Sequence, residues 1–201
     1  MELLPRIDDE LDTRNPLVMT LEQVLSPEAC ERLIERIEAL GPCAAPISTA
    51  RGPAMRPDVR NNDRVMFDDP ELAAHLVDAV RGRVPERLEQ EWVLCGANER
   101  LRCYRYRPGQ RFAPHFDGAF HRSDEERSLL TFLVYLNGCR AGGATRLIDL
   151  QLEVHPRAGL GLVFNHHLLH EGAPVLEGVK YVVRTDLMYR RIPNSSAIST
   201  H

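Results

Sequence analysis

In the first half of the chain, apolar residues recur at the three- and four-residue spacing of helices that bury one face. The segment LSPEACERLIERIEALG has Ser26 as a candidate N-cap, Pro27 at the first helical position and Gly41 just past the end. The segment DDPELAAHLVDAV has the same arrangement, with Asp69 as the cap. These patterns predict two amphipathic helices, and a third helix is predicted after Pro85.

The second half changes to short segments rich in β-branched and aromatic residues. Five such segments are predicted to be strands: ERLRCYRYR, RSLLTFLVYLN, ATRLIDL, LGLVFN and KYVVRTDLMYR. The stretches PGQ, GCRAGG, HPRAG and LEGV separate them and have the composition of turns. Helices followed by several short strands predict an α+β fold, with helices packed on an antiparallel β-sandwich or barrel.

The composition is that of one globular domain. The chain has 201 residues, of which 43% are hydrophobic and 27% charged, and this length is enough for one substantial core. We therefore expect a single domain over residues 1–201, with a helical part over about 1–98 and a β core over about 99–190.

Charge and cysteine content narrow the class of partner and the compartment. The formal net charge of −4 gives no basic surface for nucleic acid, and no apolar run reaches the roughly 20 residues of a membrane span. The first residues, MELLPRIDDELDTR, lack the basic and then apolar order of a secretory signal. Five cysteines form no CxxC pair, which favours reduced thiols in the cytoplasm and argues against a zinc site. We expect neither a nucleic-acid nor a membrane partner.

The segment RPGQRFAPHFDGAF contains the clearest candidate chemistry. His115 and Asp117 are two residues apart, so a strand would turn both side chains to one face. Three further histidines follow downstream: His166, His167 and His170. One of them would complete a set of two imidazoles and one carboxylate, the facial triad of non-haem Fe(II) oxygenases. Taken alone, the His-x-Asp pair would fit a core histidine bonded to its neighbour.

Two cations follow the histidine cluster on the last predicted strand. Lys180 and Arg184 are four residues apart and therefore face the same side. Either could pair with a carboxylate of 2-oxoglutarate in the interior of a barrel. Two cations about 13 Å apart on an extended strand cannot both hold one carboxylate. Asp186 lies on the same face and is an alternative partner.

Three segments together resemble the prolyl 4-hydroxylase-type members of the Fe(II)/2-oxoglutarate-dependent dioxygenase superfamily. YRPGQRFAPHFD resembles the family's Tyr-x-x-Gly-x-x-hydrophobic-x-x-His-x-Asp segment. RSLLTFLVYLN with GGATRL resembles its paired central strands, and HEGAPVLEGVKYV resembles its His-x-x-x-x-Val-x-x-Gly-x-Lys segment. These segments occur in the family's order and spacing. The resemblance implies a double-stranded β-helix, of the jelly-roll or cupin type, with supporting N-terminal helices.

The resemblance also implies roles for individual residues. His115, Asp117 and His170 match the iron ligands, and these are the residues on which catalysis would depend. Lys180 matches the residue that binds the C5 carboxylate of 2-oxoglutarate. Three more residues match or neighbour positions that line the co-substrate pocket: Tyr106, Thr131 and Tyr135.

Two further residues refine the comparison with this family. Arg184 departs from its pattern, because a smaller residue usually holds this position. Arg184 would then contact 2-oxoglutarate from another side or orient the substrate, and Lys180 is preferred for the C5 carboxylate. Asp117 fills the ligand position that related halogenases lack, so hydroxylation is expected rather than chlorination.

The polar segment RPDVRNNDRVMF, residues 56–67, is the expected substrate-binding region. The resemblance implies that it borders the opening of the site, and a solvated loop is the alternative interpretation. Arg60, Asn62 and Arg64 are the candidate substrate contacts. Small molecules and peptidyl residues such as proline both fit the resemblance, and the arginines favour an acidic group on the substrate.

Two functions from different classes follow from these observations. The resemblance implies a dioxygenase that uses Fe(II), 2-oxoglutarate and O2, with ascorbate as an optional addition. It would hydroxylate an unactivated C–H bond and release succinate and CO2. The alternative is a non-catalytic, cupin-like module that binds metal or ligand without turnover. A zinc hydrolase fits less well, because no glutamate follows a metal-binding histidine on a helix.

Overall fold

Both capped helices predicted from the sequence are present and confirmed. The computed structural model describes residues 17–49, 51–89 and 91–192, so both ends of the domain predicted over 1–201 lie outside it. Helix α1 spans Pro27–Ala39 and helix α2 spans Pro70–Val80. The side chains of Ser26 and Asp69 accept hydrogen bonds from amides that the first helical turn leaves free. No helix in these ranges is long and apolar enough to cross a bilayer.

The described residues also form strands, most of them short. The strands up to residue 97 are β1 (Val18–Leu21), β2 (Cys43–Ala44), β3 (Ile47–Thr49), β4 (Gly52–Ala54), β5 (Asp63–Asp68), β6 (Arg87–Leu88) and β7 (Trp92–Ala97). The central strands are β8 (Arg100–Tyr106), β9 (Phe112–His115), β10 (His121–Ser123), β11 (Glu126–Tyr135), β12 (Ala141–Gly142) and β13 (Thr145–Leu147). The last strands are β14 (Leu152–Val154), β15 (Gly161–Asn165), β16 (His170–Gly172), β17 (Val175–Glu177) and β18 (Lys180–Arg191).

The strands build two main antiparallel sheets. The larger sheet has the order β1-β15-β11-β18-β8-β5-β2, and β7 pairs with the C-terminal part of β18. The smaller sheet has the order β14-β13-β16-β9. Two two-stranded sheets lie outside these sheets: the hairpin β3–β4 and the pair β12–β17. This arrangement confirms the predicted α+β class and its double-stranded β-helix core.

The larger sheet has a hydrophobic core on each side. Its outer face packs against the two helices through fully buried residues such as Leu76 and Leu101. Its inner face packs against the smaller sheet through residues such as Phe164 and Leu147. Because successive side chains on a strand point to opposite faces, each central strand supplies both cores. The layer between the two sheets is therefore where strand residues can surround a cavity.

Three local features differ from the sequence-based prediction. After Pro85 the chain forms a turn and β6 instead of a third helix, because β6 pairs with β7 and extends the larger sheet. The segment ATRLIDL is a strand only up to Leu147 and then forms a short 3-10 helix over Ile148–Leu150. The part expected to be helical, about 1–98, contains strands β1 to β7 besides its two helices.

Two glycines with left-handed backbone angles provide a test of the packing between the α1 segment and the larger sheet. Gly159 has φ +75° and Gly82 has φ +73°. A Cβ added at Gly159 would lie 2.3 Å from the Leu25 carbonyl oxygen, whereas one added at Gly82 would meet nothing within 4 Å. We expect Gly82→Ala to lower the free energy of unfolding by about 1 kcal/mol through backbone strain alone. We expect Gly159→Ala to lower it by at least about 2 kcal/mol more.

Urea denaturation of both variants measures these losses of free energy. Equal losses would contradict the tight packing at Gly159, because they would show that the Leu25 carbonyl moves aside without cost.

Candidate metal centre

Strand pairing brings together three side chains that are far apart in sequence. His115, the last residue of β9, is the direct cross-strand partner of His170 on β16. Asp117 follows β9, where its amide donates to the His166 carbonyl at 3.0 Å. One donor atom from each of His115, Asp117 and His170 lies within 4.8 Å of the other two. The predicted set of two imidazoles and one carboxylate therefore meets at one point, between the two sheets.

Backbone hydrogen bonds fix how the two imidazoles are turned. Nδ1 of His115 lies 2.8 Å from the Ala113 carbonyl, and Nδ1 of His170 lies 2.9 Å from the Leu168 carbonyl. Since a carbonyl only accepts, each Nδ1 carries the proton and each Nε2 keeps its lone pair. Burial lowers the pKa of His115 to about 3 and also lowers that of His170. Both rings are therefore neutral and available as metal ligands.

The Asp117 carboxylate is buried, with 5% of the residue exposed. Its Oδ1 lies 2.6 Å from Nη1 of Arg184, and its Oδ2 accepts a hydrogen bond of 2.7 Å from the Thr131 hydroxyl. Burial alone would raise the pKa of this carboxyl, but Arg184 and the neighbouring imidazoles outweigh burial and hold the pKa below its usual value. Asp117 is therefore an ionised ligand with a fixed orientation.

A chain of hydrogen bonds continues behind Asp117. The Thr131 hydroxyl gives its one proton to Asp117, so His166 Nδ1 donates to the Thr131 oxygen over 2.9 Å. His166 Nε2 then accepts from the Ser128 hydroxyl at 2.8 Å, and the Phe120 amide donates to Ser128 at 2.8 Å. Burial lowers the pKa of His166 to about 4, which keeps this ring neutral. Each group in this series of hydrogen bonds donates or accepts in one defined direction, so the orientation of the Asp117 carboxylate is fixed.

His166 and His167 lie in the turn after β15, and both are buried. Only 1% of His166 and 8% of His167 is exposed. This turn folds back over the larger sheet, where His166 contacts Thr131 and Ser128. Neither belongs to the ligand group, in which His170 supplies the second imidazole.

The candidate ligands line one end of a cavity between the sheets. The cavity holds about 40 Å³, and its walls include Phe112, His115, Asp117, His170 and Lys180. The Phe112 ring stacks on His115 with 3.5 Å between ring centroids. This contact gives the centre an apolar wall.

Lys180 supplies a buried positive charge to the same cavity. Only 1% of the residue is exposed, and its Nζ donates to the Gly143 carbonyl at 2.7 Å and lies over the Tyr106 ring. Within the described ranges no carboxylate forms an ion pair with it. Burial lowers the pKa of Lys180 to about 8. A buried cation without a counter-ion is costly unless a ligand supplies one.

The other predicted pocket residues divide into two groups. Tyr106 lines the cavity, next to Lys180 in the strand pairing. Tyr135 does not line it, and its hydroxyl instead donates to Thr145, a wall residue, at 2.7 Å. Thr131 is also absent from the wall, because its hydroxyl is used by Asp117 and His166. These two residues therefore act from behind the cavity surface.

Arg184 lines the cavity but is already paired within the protein. Besides Asp117, its guanidinium contacts Asp186 at 3.0 Å. The sequence offered Asp186 as an alternative partner for a cation on this strand, and the structure pairs it with Arg184. Burial would lower the pKa of Arg184, but Asp117 and Asp186 outweigh it and raise the pKa.

None of the three predicted substrate contacts is among the residues that line the cavity, but two of them adjoin its wall. Arg60 forms an isolated β-bridge with Phe112 on β9, and its guanidinium lies over the Phe112 ring. Asn62 is fully buried and accepts a hydrogen bond from Arg60 Nε at 2.8 Å, so it holds Arg60 and does not reach the cavity. Arg64 pairs across strands with Tyr104, another residue of the wall.

Comparison with known families agrees with this geometry. The model of the 2OG-Fe(II) oxygenase superfamily matches residues 101–185 of the chain. This range contains His115, Asp117, His170 and Lys180, which the structure places around one cavity. This match covers less than half of the chain, and over these residues the chain is similar to the 2OG-Fe(II) oxygenase superfamily.

Among individual proteins, this chain is similar to prolyl hydroxylases. It is 29% identical to prolyl 4-hydroxylase subunit alpha-2 of Gallus gallus over 120 residues, which cover 52% of the chain and 22% of that relative. The viral collagen prolyl hydroxylase of Paramecium Bursaria Chlorella virus-1, in its 2OG complex, has TM-score 0.59 at 22% identity and covers 86% and 96% of the two chains. A Pseudomonas putida prolyl-4-hydroxylase has TM-score 0.58 at 19% identity, with 87% and 92% covered. The chain thus spans less than a quarter of the curated relative, and the structural likenesses establish the fold.

The residues of the site fit the two groups that the description of the matching family names, 2-oxoglutarate and Fe(II). Two neutral imidazoles and a carboxylate are a donor set suited to Fe(II) with open positions. Lys180 offers a buried positive charge that a carboxylate of 2-oxoglutarate would neutralise. The sequence pattern identified the ligands and Lys180, but it missed Thr145 and the part played by His166. Only the alternation of Thr145 with Arg146 on β13 could have placed Thr145 on an inner face.

The hydrogen bond from Thr131 to Asp117 gives the first prediction for this site. Thr131→Val keeps the shape of the side chain but removes the hydroxyl that orients the carboxylate. We expect Mn(II) or Fe(II) to bind about tenfold more weakly, the lower end of the effect of such supporting groups. Isothermal titration calorimetry under anaerobic conditions measures this affinity.

Thr185→Val is the matched control. Thr185 is a buried threonine on β18 whose hydroxyl donates to the Asn98 carbonyl at 2.6 Å, with no contact to the ligand group. We expect it to lose stability without losing metal affinity. Wild-type metal affinity in Thr131→Val would contradict the orienting role of Thr131.

Proposed function

We propose that this protein is an Fe(II)- and 2-oxoglutarate-dependent dioxygenase that hydroxylates an unactivated C–H bond and releases succinate and CO2. One observation carries the proposal: the His115, Asp117 and His170 group shares a cavity with a buried lysine that has no carboxylate partner among the described residues. A metal group alone would fit a simple binding module. The buried lysine also gives the cavity a positive group that can bind an anionic co-substrate.

Each residue has a task in this proposal. His115, Asp117 and His170 hold the metal through two Nε2 atoms and one carboxylate oxygen. Lys180 binds the C5 carboxylate of 2-oxoglutarate through a charge-assisted hydrogen bond, and Tyr106 forms the adjoining wall. When bound, the metal and its co-substrate supply the oxidising chemistry, and the protein supplies orientation and a dry site.

The residues behind and beside the metal position preserve its environment. Arg184 and Thr131 each hold one oxygen of Asp117, so the carboxylate keeps its direction. Phe112 stacks on His115, and Phe164 lies edge-on to His170 with 4.6 Å between centroids. These rings exclude water from the two imidazoles, which strengthens the electrostatic interactions within the site.

Several finer assignments belong to the same proposal. We propose O2 as the oxidant, with ascorbate as an optional addition, and a small molecule or a peptidyl residue such as proline as the substrate. We also propose that the described residues work as one catalytic domain. All five cysteines are free thiols, which supports a reducing compartment such as the cytoplasm.

The decisive experiment measures succinate release with Fe(II), 2-oxoglutarate and O2, together with metal binding. We expect the wild type to release succinate and Asp117→Ala to lose at least about a hundredfold in rate, because the anionic ligand is gone. Asp124→Ala, at an exposed carboxylate outside the ligand group, is the matched control and should behave as the wild type. Retained turnover in Asp117→Ala would show that Asp117 is no ligand.

The wild type also separates the two candidate functions. A non-catalytic, cupin-like module would bind the metal with no 2-oxoglutarate-dependent succinate release.

Lys180→Met tests the co-substrate site separately. We expect the KM for 2-oxoglutarate to rise at least about tenfold, because a charge-assisted hydrogen bond is lost. The ligand-free protein should be as stable as the wild type or more stable, since the variant removes a buried cation that lacks a counter-ion. Steady-state kinetics and thermal denaturation give the two readouts. An unchanged KM would exclude Lys180 as the C5 carboxylate receptor.

A further inference from the structure

Three arginines adjoin the wall of the cavity. Arg60 lies over the wall residues Tyr104 and Phe112, and Arg64 and Arg102 lie on the neighbouring strands β5 and β8 of the larger sheet. In the larger sheet, Arg64 pairs across strands with Tyr104, and Arg102 pairs with Arg184. Side-chain alternation therefore turns Arg64, Arg102 and Arg184 to the face that lines the cavity.

Arg60 is buried and only partly bonded. It is 4% exposed, and its guanidinium lies over the rings of Tyr104 and Phe112, both of which line the cavity. Its Nε donates to Asn62, but its Nη2 has no hydrogen-bond partner within the described ranges. The two rings and Asn62 hold the guanidinium rigidly, so an unused donor is kept in a fixed position. Such a donor is costly to bury unless a ligand accepts from it.

Arg64 is half-buried beside Arg60 and Arg102. Burial lowers the pKa of Arg64, and the positive charges of Arg60 and Arg102 lower it further. Among residues 17–49, 51–89 and 91–192, no carboxylate forms an ion pair with Arg64. Arg64 therefore lies close to two other positive charges, and no carboxylate of the described residues neutralises it.

The carboxylates nearest this group are already engaged elsewhere. Asp186 pairs with Arg102 and Arg184, and Asp117 pairs with Arg184. Asp63, next to Arg64 on β5, points to the opposite face and pairs with Arg105. Arg60 and Arg64 thus have no anionic partner among the described residues, and both stand beside the path into the cavity.

We propose that the substrate carries a carboxylate, which binds between Arg60 and Arg64 while its reactive carbon faces the metal centre. This inference rests on the proposed function and adds the chemical class of the substrate. Planar guanidinium groups suit carboxylates because they offer two parallel N–H donors. One aromatic ring, that of Phe112, separates Arg60 from the His115 imidazole, so the carboxylate belongs a few bonds from the carbon that reacts.

The bound co-substrate does not account for these arginines. In the proposed function, Lys180 receives one carboxylate of 2-oxoglutarate and the metal position receives the other end. Lys180 begins β18 and pairs with Tyr106, whereas Arg64 pairs with Tyr104 on the far side of β8. The arginines therefore form a second anion site in the same cavity.

The test uses the anaerobic complex of the full chain with Fe(II) and 2-oxoglutarate. Its weak visible charge-transfer band is titrated with N-acetylated amino acids as free acids and as their primary amides. Peptides with an Asp or an Asn next to a proline form a second arm, which distinguishes a small acid from an acidic peptide as the source of the carboxylate. We expect at least one acid to perturb the band, and its amide to bind at least about tenfold more weakly.

Variants then assign the carboxylate to its partners. Arg64→Gln and Arg60→Lys should each weaken binding of that acid at least about tenfold. Arg32→Gln, an exposed arginine on α1, removes the same charge away from the cavity and should have no effect. Since Arg64 is half-exposed, its variant should keep its fold even if Arg60→Lys does not.

The outcomes separate this inference from the function beneath it. Equal binding of acids and amides, no binding by any acid, or wild-type affinity in Arg64→Gln would overturn the carboxylate site and leave the oxygenase proposal intact. Absence of both the band and succinate release in the wild type would overturn the proposed function, and the substrate inference with it.

Discussion

A carboxylate buried between two sheets must have its charge balanced, and the site is arranged around this requirement at Asp117. Moving an ionised group out of water costs several kcal/mol in real proteins, and here one cation and one hydroxyl offset that cost. The same contacts leave the carboxylate one direction in which to offer a lone pair, toward His115 and His170. The contacts that offset the cost of burying the Asp117 carboxylate thus also fix its orientation.

Charge also organises the rest of the cavity. Lys180 in the cavity wall and Arg60 beside it are both buried cations without a carboxylate partner in the described part of the chain. Arg184, also in the wall, is neutralised by Asp117 and Asp186. The site therefore offers two separate positions for anions besides the metal position, which suits a dianionic co-substrate and an acidic substrate better than two neutral molecules.

The similarity to prolyl hydroxylases concerns the catalytic core and not the whole of those proteins. The match to the Gallus gallus relative covers 22% of its length, and the shared fold hosts other reactions, since a non-heme alpha ketoglutarate dependent epimerase has TM-score 0.52 at 14% identity. Fold alone does not set the substrate. The residues that would set it, Arg60, Arg64 and Arg102, lie beside the cavity wall and outside the two hydrophobic cores.

The sequence by itself determined the features that depend on neighbours in the chain. Caps at Ser26 and Asp69 and the apolar periodicity located both helices, and the order of the motifs pointed to His115, Asp117, His170 and Lys180. Only the tertiary structure decided which groups meet from distant strands: that Arg184 pairs with Asp117, that a turn histidine supports Thr131, and that Arg60 lies over Phe112. The helix predicted after Pro85 failed for the same reason, because pairing with β7 outweighed local preference. Periodicity and capping are local, whereas register and burial depend on the whole sheet.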